Sequence, residues 1–241
     1  MLYKGEDRRM EKVTAIIVAG GSGKRMGMSI KKQYILLSNK EVLAHTIEAF
    51  DKCELIQEII LVVSEDEINK VKKDIVEKYS FNKVRKIVSG GTERQDSVYN
   101  GLLATSNDTK YVMIHDGARP FIKEKIIREA LKLTIEKEAT VVAVPVKDTI
   151  KVVDNKKQMV IDTPNRTTLW SIQTPQSFSK ELLLKAYAYA KSENLAVTDD
   201  SMLVEAYGKA VYIVQGDYTN IKITTPEDLI IGEAVLKNQK G

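Results

Sequence analysis

The stretch Val13-Thr14-Ala15-Ile16-Ile17-Val18-Ala19-Gly20-Gly21-Ser22-Gly23-Lys24-Arg25-Met26-Gly27 decides how the rest of the chain is read. A short β-branched run ends in a glycine-rich turn, and two basic residues follow at once. That is the grammar of a strand whose carboxyl end presents backbone amides to an anion. It is not a Walker loop, which needs glycine where Val18 stands and Ser or Thr where Arg25 stands. A dinucleotide fingerprint fits poorly too, because Gly21 and Gly23 as the first two glycines put Met26 at the third, and the next helical pattern starts only near Glu41. A second cationic pair, Lys31-Lys32, lies a few residues on and could reach back over the cradle. Phosphoryl transfer asks for such cations, since charge accumulates on the non-bridging and leaving oxygens while the protein need supply no nucleophile.

Outward from this turn, β-branched runs alternate with amphipathic ones. Val13 to Ala19, Glu58 to Val63, Val84 to Val88, Tyr111 to Ile114 and Ala139 to Pro145 are expected strands. Between them Ile68, Val71, Ile75 and Tyr79, and later Ile127, Leu131, Thr134 and Ile135, recur at helical spacing. Strands covered on both faces by crossover helices predict an α/β fold with a doubly wound, mostly parallel sheet. From Val146 to Trp170 the rhythm breaks into two short alternating runs around the polar Asp154 to Lys157. This predicts a β-arm at about 147–170, a ribbon that needs a partner subunit or the main body to lie on. In the last third, Thr198 before Asp199-Asp200 and Thr225-Pro226-Glu227-Asp228 read as helix starts, and Gly208 as a helix stop. One domain over 1–241 with an arm is the expected organisation, preceded by a hydrophilic extension, residues 1–12.

Composition bounds the function. The 241 residues carry 37 Lys and Arg against 33 Asp and Glu, a formal charge of +4, with basic and acidic residues interleaved and a single tryptophan. Nucleic-acid binding is therefore not expected. No apolar run approaches the roughly 20 residues of a membrane span. One cysteine, Cys53, allows neither an internal disulfide nor a multi-cysteine metal site. A cytoplasmic location without membrane contact is the expectation.

Further carriers of chemistry follow later strands, where open α/β sheets bind ligands. Gly90-Gly91-Thr92-Glu93-Arg94-Gln95-Asp96-Ser97 follows the third, and His115-Asp116-Gly117-Ala118-Arg119-Pro120 the fourth. Gly91, Thr92 and Ser97 can serve a base and ribose. Asp116 can face a divalent cation or a hydroxyl, or form a structural ion pair with Arg119. His115 and His45 read as structural.

Together, Ala19 to Met26, Lys32-Gln33-Tyr34, Glu93 to Val98, His115 to Pro120, Asp148-Thr149-Ile150-Lys151, Gln173-Thr174-Pro175-Gln176, Thr198-Asp199 and Asn220-Ile221-Lys222-Ile223-Thr224 resemble the 2-C-methyl-D-erythritol 4-phosphate cytidylyltransferase family of the non-mevalonate isoprenoid route. The resemblance runs from Val13 to Leu229. It implies a Rossmann-like nucleotidyltransferase that transfers a cytidylyl group from CTP to 2-C-methyl-D-erythritol 4-phosphate with Mg²⁺, releasing pyrophosphate. It implies Arg25, Lys32 and Lys222 as catalytic cations, and Ala19, Gly20, Gly21, Gly23, Gly91, Thr92, Ser97, Asp116 and Gly117 around CTP. Asp116 is a possible metal ligand, with Mg²⁺ held mainly by the CTP phosphates. Thr149, Arg166 and Thr198 are implied for the acceptor, although Thr149 as a strand residue and Thr198 as a helix cap are the plainer alternatives. A homodimer sharing active sites through the arm is implied, with Arg119 structural or at the dimer contact. Relatives usually have proline before the lysine matched by Lys32, where this chain has Lys31. The rival readings are a ribitol 5-phosphate cytidylyltransferase and a non-catalytic CTP sensor.

Overall fold

The computed structural model describes residues 11–21 and 31–239 of the chain. Expectations for Gly23 and Arg25, and for residues 1–10, fall outside the described residues. Five runs of β-branched residues form the parallel heart of the structure, as their composition requires: β1 (Lys12–Val18), β4 (Glu58–Val63), β5 (Val84–Ser89), β6 (Thr109–Asp116) and β7 (Ala139–Pro145). Between the first two stands a short hairpin, β2 (Leu36–Leu37) and β3 (Lys40–Glu41). β8 (Val152–Asp154) and β9 (Met159–Asp162) pair with each other, and β10 (Trp170–Ser179) and β11 (Tyr212–Gln215) join the main sheet. Its order is β11-β7-β10-β6-β1-β4-β5, with β10 alone antiparallel to its neighbours. Mostly parallel α/β is thus confirmed.

Alternation along each strand separates two faces. Val13, Ala15 and Ile17 of β1 pack with Ile59, Leu61, Tyr111 and Met113, under α1 (Val42–Asp51), α2 (Ile68–Val71, continuing as a π turn over Lys72–Glu77) and α4 (Glu124–Lys137). Ile16 points the other way, with Val62, Val112 and Ile114, under α3 (Arg94–Ala104), α5 (Lys180–Ser192) and α6 (Asp200–Ala206). A period of two buries every β1 side chain from Val13 to Ile17. A third cluster joins Leu37, Val42, Ala118, Phe121 and Ile223 to Leu236 of α7 (Pro226–Gln239).

Several expectations need correction. β1 already begins at Lys12, inside the stretch expected to be an extension. His115 and Asp116 are the last two residues of β6 and do not follow it. The sequence pattern predicts neither β10 nor β11, and for β10 the reason is clear: Gln173, Thr174, Gln176 and Ser177 are polar yet buried, so the strand lacks the hydrophobic signature by which strands are recognised. Its polar atoms are used instead. The Gln176 amide oxygen accepts from the backbone of Asp200 and Ser201, and Gln173 donates to the carbonyl of Asp217. The helix expected to start at Thr198 starts one residue later, because the Asp199 carboxylate is the cap, accepting from the backbone N–H of Met202 at 3.0 Å. Thr198 instead points its hydroxyl at the Met202 sulfur. Thr149 lies before β8 and is no strand residue.

Candidate active site

β1 leads by way of β4 to β5 on one side, after which the chain returns to β6 on the other side of β1. The carboxyl ends of β1 and β6 therefore flank the point where strand order reverses, and a ligand crevice is expected there. A cleft of about 520 Å³ opens at that place, lined on the β1 side by Val18, Ala19, Gly20 and Gly21. Gly91, Thr92, Glu93, Arg94 and Ser97 form a second wall, and Asp116, Ala118, Lys222 and Thr224 a third, with Lys32 and Gln33 above them.

Each wall is fixed by local chemistry. The short helical turn Lys32–Tyr34 is tied to the glycine loop because Gln33, only 2% exposed, donates from its amide to the carbonyl of Ala19 at 2.8 Å. At the start of α3, Glu93 and Asp96 form a reciprocal capping box. The Ser97 hydroxyl accepts from the Gly91 N–H at 3.0 Å and donates to the Glu93 carbonyl. A Cβ on Gly91 would lie 2.2 Å from that of Asp96, so the loop can pass the helix only as glycine. Gly117 is likewise pressed against the Ala19 side chain; it lies behind the cleft and does not line it.

Lys222 is held by its neighbours. Asn220 is fully buried and donates to the Gln173 side chain and the Thr174 carbonyl, while the Ile223 N–H donates to the carbonyl of Ala118. Between these anchors the Lys222 ammonium reaches the Asp116 carboxylate at 2.8 Å. Arg119 also meets Asp116, at 3.4 Å, and donates to the Asn220 carbonyl. Burial alone would raise the Asp116 carboxyl, but Lys222, Arg119 and Arg94 hold it well below the usual carboxylate range. Arg119 is thus a structural ion-pair partner within the chain.

The two lysines after the glycine loop part company. Lys31 pairs with Glu67 at 3.0 Å and reaches Ser64, while Lys32 lines the cleft. Lys31 also keeps φ −63°, the angle a proline at this position would impose. The departure from the family pattern costs no backbone geometry.

His115 is fully buried, its ring nitrogens facing the Thr174 hydroxyl and the Arg119 carbonyl. Burial depresses it from 6.5 to about 4, against the opposing pull of the Arg119 carbonyl and Asp116. It brings β6, β10 and the following turn together as a neutral imidazole. Because the unfolded chain binds this proton near 6.5 and the folded one near 4, the stability it provides is complete above pH 6.5 and is lost as pH falls toward 4. The melting temperature should therefore start to drop below pH 6.5. A flat profile from pH 8 to 4.5 would contradict a buried neutral His115.

A sequence profile described as IspD, 2-C-methyl-D-erythritol 4-phosphate cytidylyltransferase, matches residues 13–238. The chain belongs to this cytidylyltransferase family. A family member from Alkaliphilus oremlandii is 52% identical over 231 residues, covering 96% of this chain and 98% of its own. Among solved structures, the 4-diphosphocytidyl-2C-methyl-D-erythritol synthase of Anaerococcus prevotii superposes with a TM-score of 0.83 at 36% identity, covering 95% of this chain and 97% of that one. The Francisella tularensis cytidylyltransferase superposes at 0.80 with 30% identity, covering 93% and 99%.

Of the positions that the family resemblance implies, the cleft brings together Ala19, Gly20, Gly21, Lys32, Gly91, Thr92, Ser97, Asp116 and Lys222. Thr149, Arg166 and Thr198 do not line it; all three are exposed, and Arg166 donates to the Lys147 carbonyl at 2.9 Å. Gln33, Glu93, Arg94 and Thr224 line the cleft without having been assigned a role. The motif stretches contained all four, but only the ends of the strands show which side chains turn inward.

Proposed function

We infer that this chain transfers the cytidylyl group of CTP to 2-C-methyl-D-erythritol 4-phosphate, giving 4-diphosphocytidyl-2-C-methyl-D-erythritol and pyrophosphate. The observation that carries the chemistry is a glycine-walled cleft at the switch point of the sheet into which Lys32 and Lys222 project. An oxygen of the acceptor phosphate forms the new bond to the α-phosphorus, and the bond from that phosphorus to the bridging oxygen breaks in line, the electron pair leaving with pyrophosphate. Lys32, with Arg25, stabilises charge on the α-phosphate, and Lys222 orients phosphate beside it. The backbone of Ala19 to Gly21 and of Gly91 lets the nucleotide approach closely, and Thr92 and Ser97 offer hydroxyls.

Among the described residues no three His, Cys, Asp or Glu side chains cluster as a metal site. The cleft offers two carboxylates, Glu93 committed to its helix cap and Asp116 held by three cations. With both engaged, Mg²⁺, which usually keeps several waters and binds through substrate phosphates, would find most of its ligands on the triphosphate. Mg²⁺ would be held mainly by the triphosphate and would supply charge neutralisation on the phosphates, both oxygens of Asp116 being engaged by Lys222, Arg119 and Arg94.

The acceptor end is completed by a second copy of the chain. Val152, Met159, Val160 and Ile161 are 44%, 53%, 53% and 62% exposed on the β8–β9 ribbon, an apolar surface at odds with a solitary arm. The arm brings Thr149 and Arg166 to the cleft of the partner, where the guanidinium can take two phosphate oxygens at once. No helix among the described residues is long and apolar enough to cross a membrane. We place the enzyme in the cytoplasm on a different ground, its single cysteine, which suits a reducing compartment.

The test is pyrophosphate release with CTP and Mg²⁺, offering methylerythritol 4-phosphate and ribitol 5-phosphate in parallel. Release with the first alone is expected. Release with ribitol phosphate alone would move the enzyme to another pathway, and CTP binding without release would make it a sensor.

A further inference from the structure

Arg94 lines the cleft as a third cation beside Lys32 and Lys222. It opens α3, directly after the Glu93 cap. One end of its guanidinium meets the Asp200 carboxylate at 2.8 Å, and its Nε lies 3.8 Å from Oδ1 of Asp116. Asp200 is 1% exposed, opens α6, and also accepts from the Tyr187 hydroxyl. The Tyr187 oxygen also lies 3.3 Å from the carbonyl of Gln95, the residue next to Arg94, so its single proton is shared between the two acceptors.

The plain alternative is that Arg94 does no more than neutralise a buried acid. Three features go beyond that. Lys222 and Arg119 both approach Oδ2 of Asp116, whereas Arg94 faces Oδ1. Cations on opposite oxygens oppose rotation of the carboxylate about its last bond, a torsion that is otherwise broad. The orientation of Asp116 decides where the Lys222 ammonium sits. Moreover, Arg94 joins the nucleotide wall at α3 to the start of α6, and Thr198 stands two residues before Asp200.

We propose that Arg94 is a positioning residue for the transfer reaction, clamping Asp116 so that Lys222 stays aimed into the cleft and linking that clamp to the acceptor-side helix α6. The role rests on the cytidylyl transfer inferred above. It predicts that loss of Arg94 lowers kcat more than it raises the KM for CTP, because the triphosphate keeps its glycine cradle and Lys32 while Lys222 loses its aim.

The experiment compares wild type, Arg94→Gln, Asp200→Asn and the double variant Arg94→Gln/Asp200→Asn by thermal melting and by pyrophosphate release with CTP, Mg²⁺ and methylerythritol 4-phosphate. Arg94→Gln strands the Asp200 carboxylate and should melt several degrees lower, and the double variant, which removes that charge, should regain most of the loss. Its kcat is nevertheless expected to stay roughly tenfold or more below wild type, with the KM for CTP within about threefold. Arg94→Lys should recover only part of kcat, since an ammonium cannot span both carboxylates. A double variant that regains kcat together with melting temperature would reduce Arg94 to a counter-ion for Asp200 and overturn the proposal. An inactive wild type would instead overturn the reaction on which it rests.

Discussion

Lys32→Ala is expected to lower kcat by roughly 10² to 10³, the range seen when one preorganised group facing developing oxyanion charge is removed, whereas Lys31→Ala should stay within about fivefold of wild type. Both side chains are lysines on adjacent residues, so sequence distance cannot separate them. Geometry does. Lys32 lines the cleft on a turn that Gln33 pins to the Ala19 carbonyl, while Lys31 is engaged with Glu67 and Ser64. Removal of Lys31 leaves Glu67, 8% exposed, without its cation. Its cost should appear in thermal stability, where an unpaired buried polar group is worth roughly 1 to 3 kcal/mol. Lys31→Pro should keep turnover, because φ at that residue already has the proline value. Steady-state kinetics and melting curves on the three variants decide the matter, and equal mild losses in kcat for both alanines would remove Lys32 from the reaction.

The second large effect concerns the arm. If each cleft is completed by the partner's arm, Lys32→Ala and Arg166→Ala should each be nearly inactive alone, and mixing them should restore activity. In a statistical mixture half of the dimers are mixed, and each holds one site with both residues intact, so about a quarter of wild-type turnover is expected. No such recovery occurs if Arg166 serves its own chain. A companion variant, Val160→Asp/Ile161→Asp, should sediment as a monomer, bind CTP as before and lose acceptor turnover, because both side chains are more than half exposed on the lone chain and contribute little to its own core. A dimer of unchanged affinity would place the interface elsewhere.

Much of the architecture was legible because parallel strands are buried on both faces and must be apolar throughout. Glu58–Val63 and Ala139–Pro145 match the observed β4 and β7 end for end. β10 was not, since its burial is satisfied by amides and hydroxyls in place of hydrocarbon, and β11 is a four-residue edge strand with Tyr212 and Ile213 substantially exposed. At the site, glycine loops and their cations were visible as motifs because their chemistry depends on composition and order. Arg94 and Gln33 were not distinguished. Their significance lies in partners far along the chain, Asp200 for one and Ala19 for the other. Likewise the Thr198 cap was misassigned because Thr and Asp compete for the same role one residue apart, and the tie is broken by Gln176 holding both the Asp199 carboxylate and the next two backbone amides.

The antiparallel insertion of β10 has a consequence for how such an enzyme can change over evolutionary time. Pro145 and Trp170 are paired across adjacent strands, and the Val146 N–H donates to the Leu169 carbonyl, so the arm leaves and re-enters the sheet at a clasp two hydrogen-bonded strands wide. Everything between those two points is a cassette whose length and sequence can drift without altering the register of the sheet or the loops that cradle the nucleotide. Selection for a new polyol phosphate could therefore begin in the cassette, and the half of the molecule that handles CTP would be inherited intact.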